Sequence, residues 1–505
     1  MTAVTAREAG IIDGLAIHGE RTETADVCII GSGAGGAPVA ATLAAAGWRV
    51  VVLEDGRAFG TEELNGDPRD MLARLYRDGG QTVTTGNAPV VIPVGRAVGG
   101  TTLVNSGTCL RAPAEIFQAW VRERGLDGLA PGVLDPFYED AERTISVGRV
   151  TPELAGENAR RIEAAASSLG WSSYYLTRNA SGCVGSGVCA FGCPRGAKQH
   201  TAITYLAEAH AAGATTYSST RAARVLIERG VVRGVAATTG GGGTVRVSAP
   251  RVVVAAGTFH TPSLLAASGV RNPWLGRNLS VHPSTAAWGV LDDEVDMGRG
   301  VPQSLAIDEF ADEGLMMEGI SGPPAYLALT VPFSGAAHRE VMLRYRNVAQ
   351  FGLMITDRSR GSVATGRLAR RAGSPIIRYD VCPEDTALLY RGLEKLAELL
   401  FAAGARRVMT SVAGVRELTG GDLSPLQRVP RRPQALKLMG FHPLGTARMA
   451  ADPSDGVCDG DGQVHGVRGL HVADGAAVPS ALGVNPQLTI MALATRLAHH
   501  LQKES

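Results

Sequence analysis

One strand–turn–helix–strand unit near the N-terminus constrains the fold of this chain more than any other feature. Asp26-Val27-Cys28-Ile29-Ile30 is a short apolar run of the kind that fills a parallel strand buried on both faces. It runs directly into Gly31-Ser32-Gly33-Ala34-Gly35-Gly36, which satisfies G-x-G-x-x-G at Gly31, Gly33 and Gly36. Residues 37–46 follow as a helix of small residues, Gly47 stops it, and Arg49-Val50-Val51-Val52-Leu53 is a second strand ending at Glu54. One glycine makes the tight turn, the next lets backbone approach a pyrophosphate, and the third lets helix and strand pack closely. The helix N-terminus faces the phosphates, with Ala34 beside them. Glu54 lies 18 residues past Gly36, where an acid accepts hydrogen bonds from a ribose diol. The ordered unit predicts dinucleotide binding over a glycine-rich turn with no ligand; it does not separate FAD from NAD.

Four later blocks narrow the choice. Residues 95–105 are a second glycine-rich loop, containing Gly99, Gly100 and Asn105. Residues 251–257 are a buried strand ending in glycine, followed by a helix over 261–269 with Pro262 in its first turn and Gly269 at its end. Near the C-terminus come Gly440-Phe441-His442-Pro443-Leu444-Gly445-Thr446, then Leu470-His471-Val472-Ala473-Asp474-Gly475, then Asn485-Pro486-Gln487.

With these blocks in this order, the chain resembles the glucose-methanol-choline (GMC) flavoprotein oxidoreductases from Asp26 to Leu501, and within them the long-chain alcohol oxidase-like branch. The resemblance implies an α/β fold in which a Rossmann-like FAD-binding domain interleaves with an α+β substrate domain built on an antiparallel sheet. It implies FAD-binding segments at 26–285 and 440–505 around a substrate-binding segment at 286–439. Gly31, Gly33, Gly36 and Glu54 would hold the ADP half of FAD. Gly99, Gly100 and Asn105 would lie along the flavin half, with Asp474 and Pro486 also at the cofactor. The sequence has no histidine between His18 and His200 to tether a flavin, so FAD is expected to be non-covalent, with Cys109 a less favoured attachment point.

The family places a base histidine and a second polar residue against the flavin, and the matching positions here are His442 and Asn485. Oxidising an alcohol moves a hydride from carbon to flavin N5 and needs an acceptor for the hydroxyl proton. A neutral imidazole, at about 6.5 unperturbed, suits that task. Asn485 has a donor and an acceptor and does not titrate. His282 matches a family loop near the cofactor and reads as shaping the backbone. Two alternatives stand beside alcohol oxidation: a flavoprotein lyase using the same histidine, and a nicotinamide dehydrogenase or non-catalytic nucleotide-binding protein.

Cys183, Cys189 and Cys193 are spaced C-x5-C-x3-C-P. A compact loop or disulfide is the leading reading; an iron–sulfur cluster needing a fourth thiolate, and a zinc site completed by His200, are the others. No resident metal is expected. Lys and Arg number 49 against 48 Asp and Glu, giving a net charge of +1 and no reason to expect nucleic acid or an anionic membrane as partner. No apolar run is long enough to span a membrane and no signal-peptide core is present, so cytoplasm is the expected location. Partners are a small-molecule alcohol and oxygen or another electron acceptor; oligomeric state is left open.

The substrate itself is read from residues 286–439. Val341–Tyr345 and Phe351–Ile355 have strand composition, and residues 384–403 have helical periodicity. Met316, Met317, Tyr326 and Phe333 could line an apolar pocket for a long-chain, terpenoid or sterol alcohol. The acidic stretch Asp308, Glu309, Asp312, Glu313 and Glu318 could instead meet an amino-sugar. Residues 239–243 read as a solvent-facing hairpin tip.

Overall fold

The computed structural model describes residues 10–366 and 374–504. The apolar runs form as expected: Val27–Ile30 and Val50–Leu53 are strands in which every residue is buried. They sit in a six-stranded sheet of order Ile11–Asp13, Thr215–Ser218, Val50–Leu53, Val27–Ile30, Arg251–Val254 and Leu470–Val472, with every pairing parallel. The chain leaves Val27–Ile30 toward Val50–Leu53 on one side, and Arg251–Val254 pairs on the other. Such a reversal of strand order opens a crevice at the C-terminal strand ends, where the glycine loop begins. The helix Gly36–Ala45 packs on this sheet through small residues, and Gly47 ends it at φ +83°.

A four-stranded sheet, Thr220–Glu228, Val231–Thr239, Thr244–Ser248 and Glu20–Thr24, adjoins the first. The hairpin between Val231–Thr239 and Thr244–Ser248 turns at residues 240–243 as expected, but its tip is not free of protein. Gly241 N–H donates to Gly14 O (3.0 Å) and Thr239 Oγ1 to Ile17 O (2.8 Å), so the turn is packed against residues 14–17.

The second core lies on a nine-stranded, mostly antiparallel sheet centred on Pro283–Val290 and Val348–Ile355, both buried along their whole length. Leu315–Gly319 continues it beyond Val348–Ile355. The helix Pro383–Ala402 covers it with Leu389, Leu393, Leu396 and Leu400 at helical spacing. Val341–Tyr345 is not a strand: it holds the end of the helix Gly335–Leu343 and the start of a 3-10 turn, Tyr345–Asn347. Its buried residues are Val341 and Tyr345, four apart, which is a helical period hidden inside strand-like composition.

The sheets also cross the expected division at residues 286 and 440. Ile11–Asp13 and Glu20–Thr24, ahead of residue 26, join the first two sheets. Val90–Val91 and Ser173–Tyr175, from inside the 26–285 segment, pair with Leu438–Gly440 and Leu305–Ile307 of the antiparallel sheet. Strands of two or three residues carry no hydropathy period of their own; long-range pairing alone recruits them.

Candidate active site

A cavity of about 920 Å³ is walled by residues from both cores, in the upper part of the range of roughly 300–1,000 Å³ for small-molecule sites. At the crevice end its wall is the glycine loop. Gly31 adopts φ +103°, and a Cβ there would lie 2.1 Å from Ala255 O. Gly36 is off the cavity wall and packs helix on strand, since its Cβ would lie 1.9 Å from Gly31 O. Gly33 differs: a Cβ there would meet no protein atom nearer than Gly100 Cα at 3.8 Å, so it would project into the cavity. Space kept open beside a glycine backbone is what a pyrophosphate needs. Ala34 is also on the wall.

Glu54 is buried at the end of its strand. Its Oε2 accepts from Ser32 N–H (3.1 Å) and Ser32 Oγ (2.6 Å), and its Oε1 from Gly56 N–H (2.7 Å). Burial raises its pKa against these bonds, and Oε1 keeps a lone pair for a ribose hydroxyl. Ser32 Oγ also accepts from Gly99 N–H (2.9 Å), so one hydroxyl ties the first glycine loop to the second. Ser32 is a site residue that the glycine spacing did not single out.

Gly100 and Asn105 line the cavity, whereas Gly99, at φ +97°, stands behind the wall. Asn105 Nδ2 donates to Gln487 Oε1 (2.8 Å) and Asn105 Oδ1 accepts from Gly107 N–H (3.1 Å), joining this loop to the first turn of the helix Gln487–Lys503. Asp474 is buried on the wall, its pKa raised by desolvation. It accepts from Gly257 N–H (2.8 Å), Thr261 Oγ1 (2.6 Å) and Ala476 N–H (2.8 Å), locking two strand ends side by side. Pro486 is on the wall too.

His442 and Asn485 meet on the same cavity wall, His442 Nε2 lying 3.2 Å from Asn485 Nδ2. Two further buried residues complete a line of four. Behind His442, His282 Nδ1 lies 3.0 Å from His442 Nδ1. Beyond Asn485, Nδ2 donates to Glu318 Oε2 (3.4 Å), which also accepts from Gln303 Nε2. His282 is held at φ +47°, an unusual conformation for a side-chain-bearing residue. The Asp357 carboxylate fixes it there by accepting from Val281 N–H (3.1 Å) and His282 N–H (3.3 Å).

The protons on this line follow from its partners. His282 Nε2 accepts from the backbone N–H of Leu482 (3.1 Å) and Gly483 (3.2 Å), so in a neutral ring Nδ1 carries the hydrogen. That hydrogen goes to His442 Nδ1, leaving the His442 hydrogen on Nε2, beside Asn485. Burial lowers the His442 pKa to about 3 and holds His282 well below its ordinary value, so both rings are neutral. The same burial raises Glu318 to about 7.

His282, which stands behind the cavity wall, therefore contacts His442 directly and does more than shape backbone. Glu318 does not belong to an acidic face: it is buried in Leu315–Gly319, while Glu313 pairs with Arg391 and Glu309 accepts from Ser172 N–H (3.0 Å). Of the four side chains assigned to an apolar pocket, only Tyr326 is on the cavity wall; Met316 and Met317 are core and Phe333 packs on it. The cysteine segment is a loop with one 3-10 turn, Cys189–Phe191, and its Gly187, Ala190 and Phe191 line the cavity. Its cysteines are free thiols, and among the described residues no group of three or more His, Cys, Asp or Glu is placed to hold a metal ion. No helix among them is long and apolar enough to cross a membrane.

The chain matches the GMC oxidoreductase family model over residues 72–284 and 357–494. It is 44% identical to an uncharacterized GMC-type oxidoreductase of Mycobacterium tuberculosis over 94% of this chain and 75% of that protein. It is 28% identical to a long-chain-alcohol oxidase of Arabidopsis thaliana over 95% of this chain and 68% of that one. Its fold is similar to that of pyridoxine 4-oxidase from Mesorbium loti, with a TM-score of 0.74 at 20% identity, covering 95% of this chain and 99% of the other. The open cradle at Gly33 and the buried acid at Glu54 fit the cofactor, and the chain belongs to the GMC oxidoreductase family, whose members are FAD enzymes acting on CH–OH donors.

Proposed function

We propose that this protein oxidises an apolar primary alcohol to its carbonyl, using FAD held without a covalent bond. The observation that carries the reading is the meeting of His442 and Asn485 on the wall of the cavity that begins at the glycine cradle. The bound flavin supplies the hydride acceptor. His442 and Asn485 orient the hydroxyl oxygen and stabilise negative charge developing on it.

The apolar class rests on the rest of the wall. Ile320, Tyr326, Leu353 and Met354 line the cavity, with Leu329 and Phe441 both on its wall and exposed. A hydrocarbon chain would lose water against these side chains at about 25 cal/mol per Å². Non-covalent binding rests on Cys109, whose buried thiol is pushed up to about 12 and is a poor nucleophile.

Anaerobic absorption spectra of the pure holoenzyme, recorded with decan-1-ol, ethanol, glucose and an amino-sugar, test the reading. Decan-1-ol is expected to bleach the flavin, and acid precipitation to release free FAD. Bleaching by the sugars alone would overturn the substrate class, and bleaching by none of them the alcohol reading.

A further inference from the structure

We propose that Cys189 is a peroxide-reactive thiol, held as a thiolate beside Arg178 and Lys198, and that oxidation joins it to Cys193 as a disulfide. The site lies in the C-x5-C-x3-C-P loop, which alcohol oxidation leaves unused.

Charge balance points to the sulfur. Arg178 and Lys198 are 3% and 2% exposed, and among the described residues neither pairs with a carboxylate. Buried charges are ordinarily paired. Arg178 Nε donates to Ser106 O (2.9 Å), and Lys198 Nζ to Asn105 O (2.7 Å) and Cys189 O (2.8 Å), all neutral carbonyls. The other acceptor is Cys189 Sγ, 3.1 Å from Arg178 Nη2. The charges that act on Lys198 are those of Cys189, Cys193 and Arg178. A thiolate at Cys189 supplies the missing negative charge, and cations beside a sulfur are what make a cysteine nucleophilic.

The loop also supplies a second thiol. Cys183, Cys189 and Cys193 line one void of about 10 Å³ together with Arg178, Arg195 and Lys198. Cys189 is only partly buried, so a small oxidant reaches it from solvent. Cys193 lies past the turn Cys189–Phe191 and shares the Lys198 charge with Cys189, which Cys183 does not. Elsewhere burial raises the pKa of Cys28, Cys109 and Cys458, so those stay thiols. Gly187, Ala190 and Phe191 of the same loop line the large cavity, so the disulfide would form in its wall.

The chemistry balances with hydrogen peroxide as oxidant. The Cys189 thiolate attacks one peroxide oxygen; an S–O bond forms, the O–O bond breaks, and the departing hydroxide takes up a proton as water. The Cys193 sulfur, giving up its proton, then attacks the Cys189 sulfenic acid. An S–S bond forms, the S–O bond breaks, and a second water leaves. Two thiols lose two electrons, and one peroxide becomes two waters.

The test uses the holoenzymes of wild type, Cys189→Ser, Cys193→Ser, Arg178→Gln and Arg178→Lys, reduced with dithiothreitol and desalted without oxygen. Iodoacetamide followed by peptide mass spectrometry should label Cys189 about 10-fold or more faster than Cys183 in wild type. Arg178→Gln should lose most of that difference, and Arg178→Lys, which keeps the charge, should retain it. One equivalent of hydrogen peroxide should cost the wild type two thiols, with Cys189 joined to Cys193 after proteolysis at Phe191. Cys193→Ser should stop at a sulfenic acid trapped by dimedone, and Cys189→Ser should lose no thiol. Equal labelling of Cys183 and Cys189, or thiol loss that proceeds in Cys189→Ser, overturns the proposal. So does iron with inorganic sulfide, or zinc, found bound to the three cysteines by elemental analysis of the purified enzyme.

Discussion

The rings of His282 and His442 meet Nδ1 to Nδ1 at 3.0 Å, at an interplanar angle of 79°, in a buried contact behind the cavity wall. Because the far nitrogen of His282 is committed to two backbone N–H groups, this one contact sets the tautomer of the cavity-facing ring. Replacing His282 by Ala removes the hydrogen that His442 Nδ1 accepts and frees its ring to rotate. Flavin reduction by alcohol should fall about 100-fold, the usual cost of a reacting group displaced by about 1 Å, with FAD content unchanged. The φ of +47° at this position adds a structural cost to the alanine, so His282→Gly, which relieves that strain, should show the same loss of rate at higher thermal stability.

Ser32 is the second place where one group holds two elements. Its hydroxyl donates to Glu54 at 2.6 Å and accepts from Gly99 at 2.9 Å. Ser32→Ala leaves the buried carboxylate short of a charge-assisted bond and unties the two glycine loops. A hydrogen bond to a charged group is worth about 1.5–3 kcal/mol, so FAD should bind roughly 10- to 100-fold more weakly. Equilibrium dialysis of reconstituted apoprotein measures this directly. An unchanged dissociation constant would mean that the loops are held in place without the serine.

The glycines of the loop separate binding from folding. In Gly33→Ala the new methyl meets nothing within 3.8 Å of protein and points into the cradle. The variant should fold with native far-UV circular dichroism and lose FAD. In Gly36→Ala the methyl would overlap Gly31 O at 1.9 Å, so helix and strand must separate, and soluble protein should be lost with or without added FAD. If both variants behave alike, the division of labour between these glycines is wrong.

These residues also show what was legible in the sequence. The glycine spacing could be read because turn conformation and close packing are set within a few residues, and the all-apolar strands because burial on both faces leaves no polar alternation. His442 and Asn485 were legible only through their neighbours in motif blocks. Ser32 filled a variable slot of its motif. His282 matched a family loop near the cofactor and read as shaping backbone, because its contact with His442 spans 160 positions of chain. Glu318 was hidden in an acid-rich stretch; its burial comes from pairing Leu315–Gly319 against Val348–Ile355 and Leu305–Ile307, which no local pattern reports. Met316 and Met317 were misplaced for the same reason.

Burial of Glu318 also makes a prediction about stability that does not depend on turnover. Its pKa is raised on folding, to about 7, so the folded protein holds this proton where the unfolded chain has released it. The sign follows: the contribution is fully present below the ordinary glutamate pKa and is lost as pH rises toward 7. Complete loss corresponds to about 3 kcal/mol. Asp357, raised to about 6 by burial despite its bonds to Tyr379 and the Val281 backbone, acts in the same direction over a slightly lower window. Glu318→Gln carries no charge at any pH, so its stability relative to wild type should increase between pH 5 and pH 8. Chemical denaturation of both holoproteins across that range checks this. A constant difference would mean that folding does not raise the Glu318 pKa.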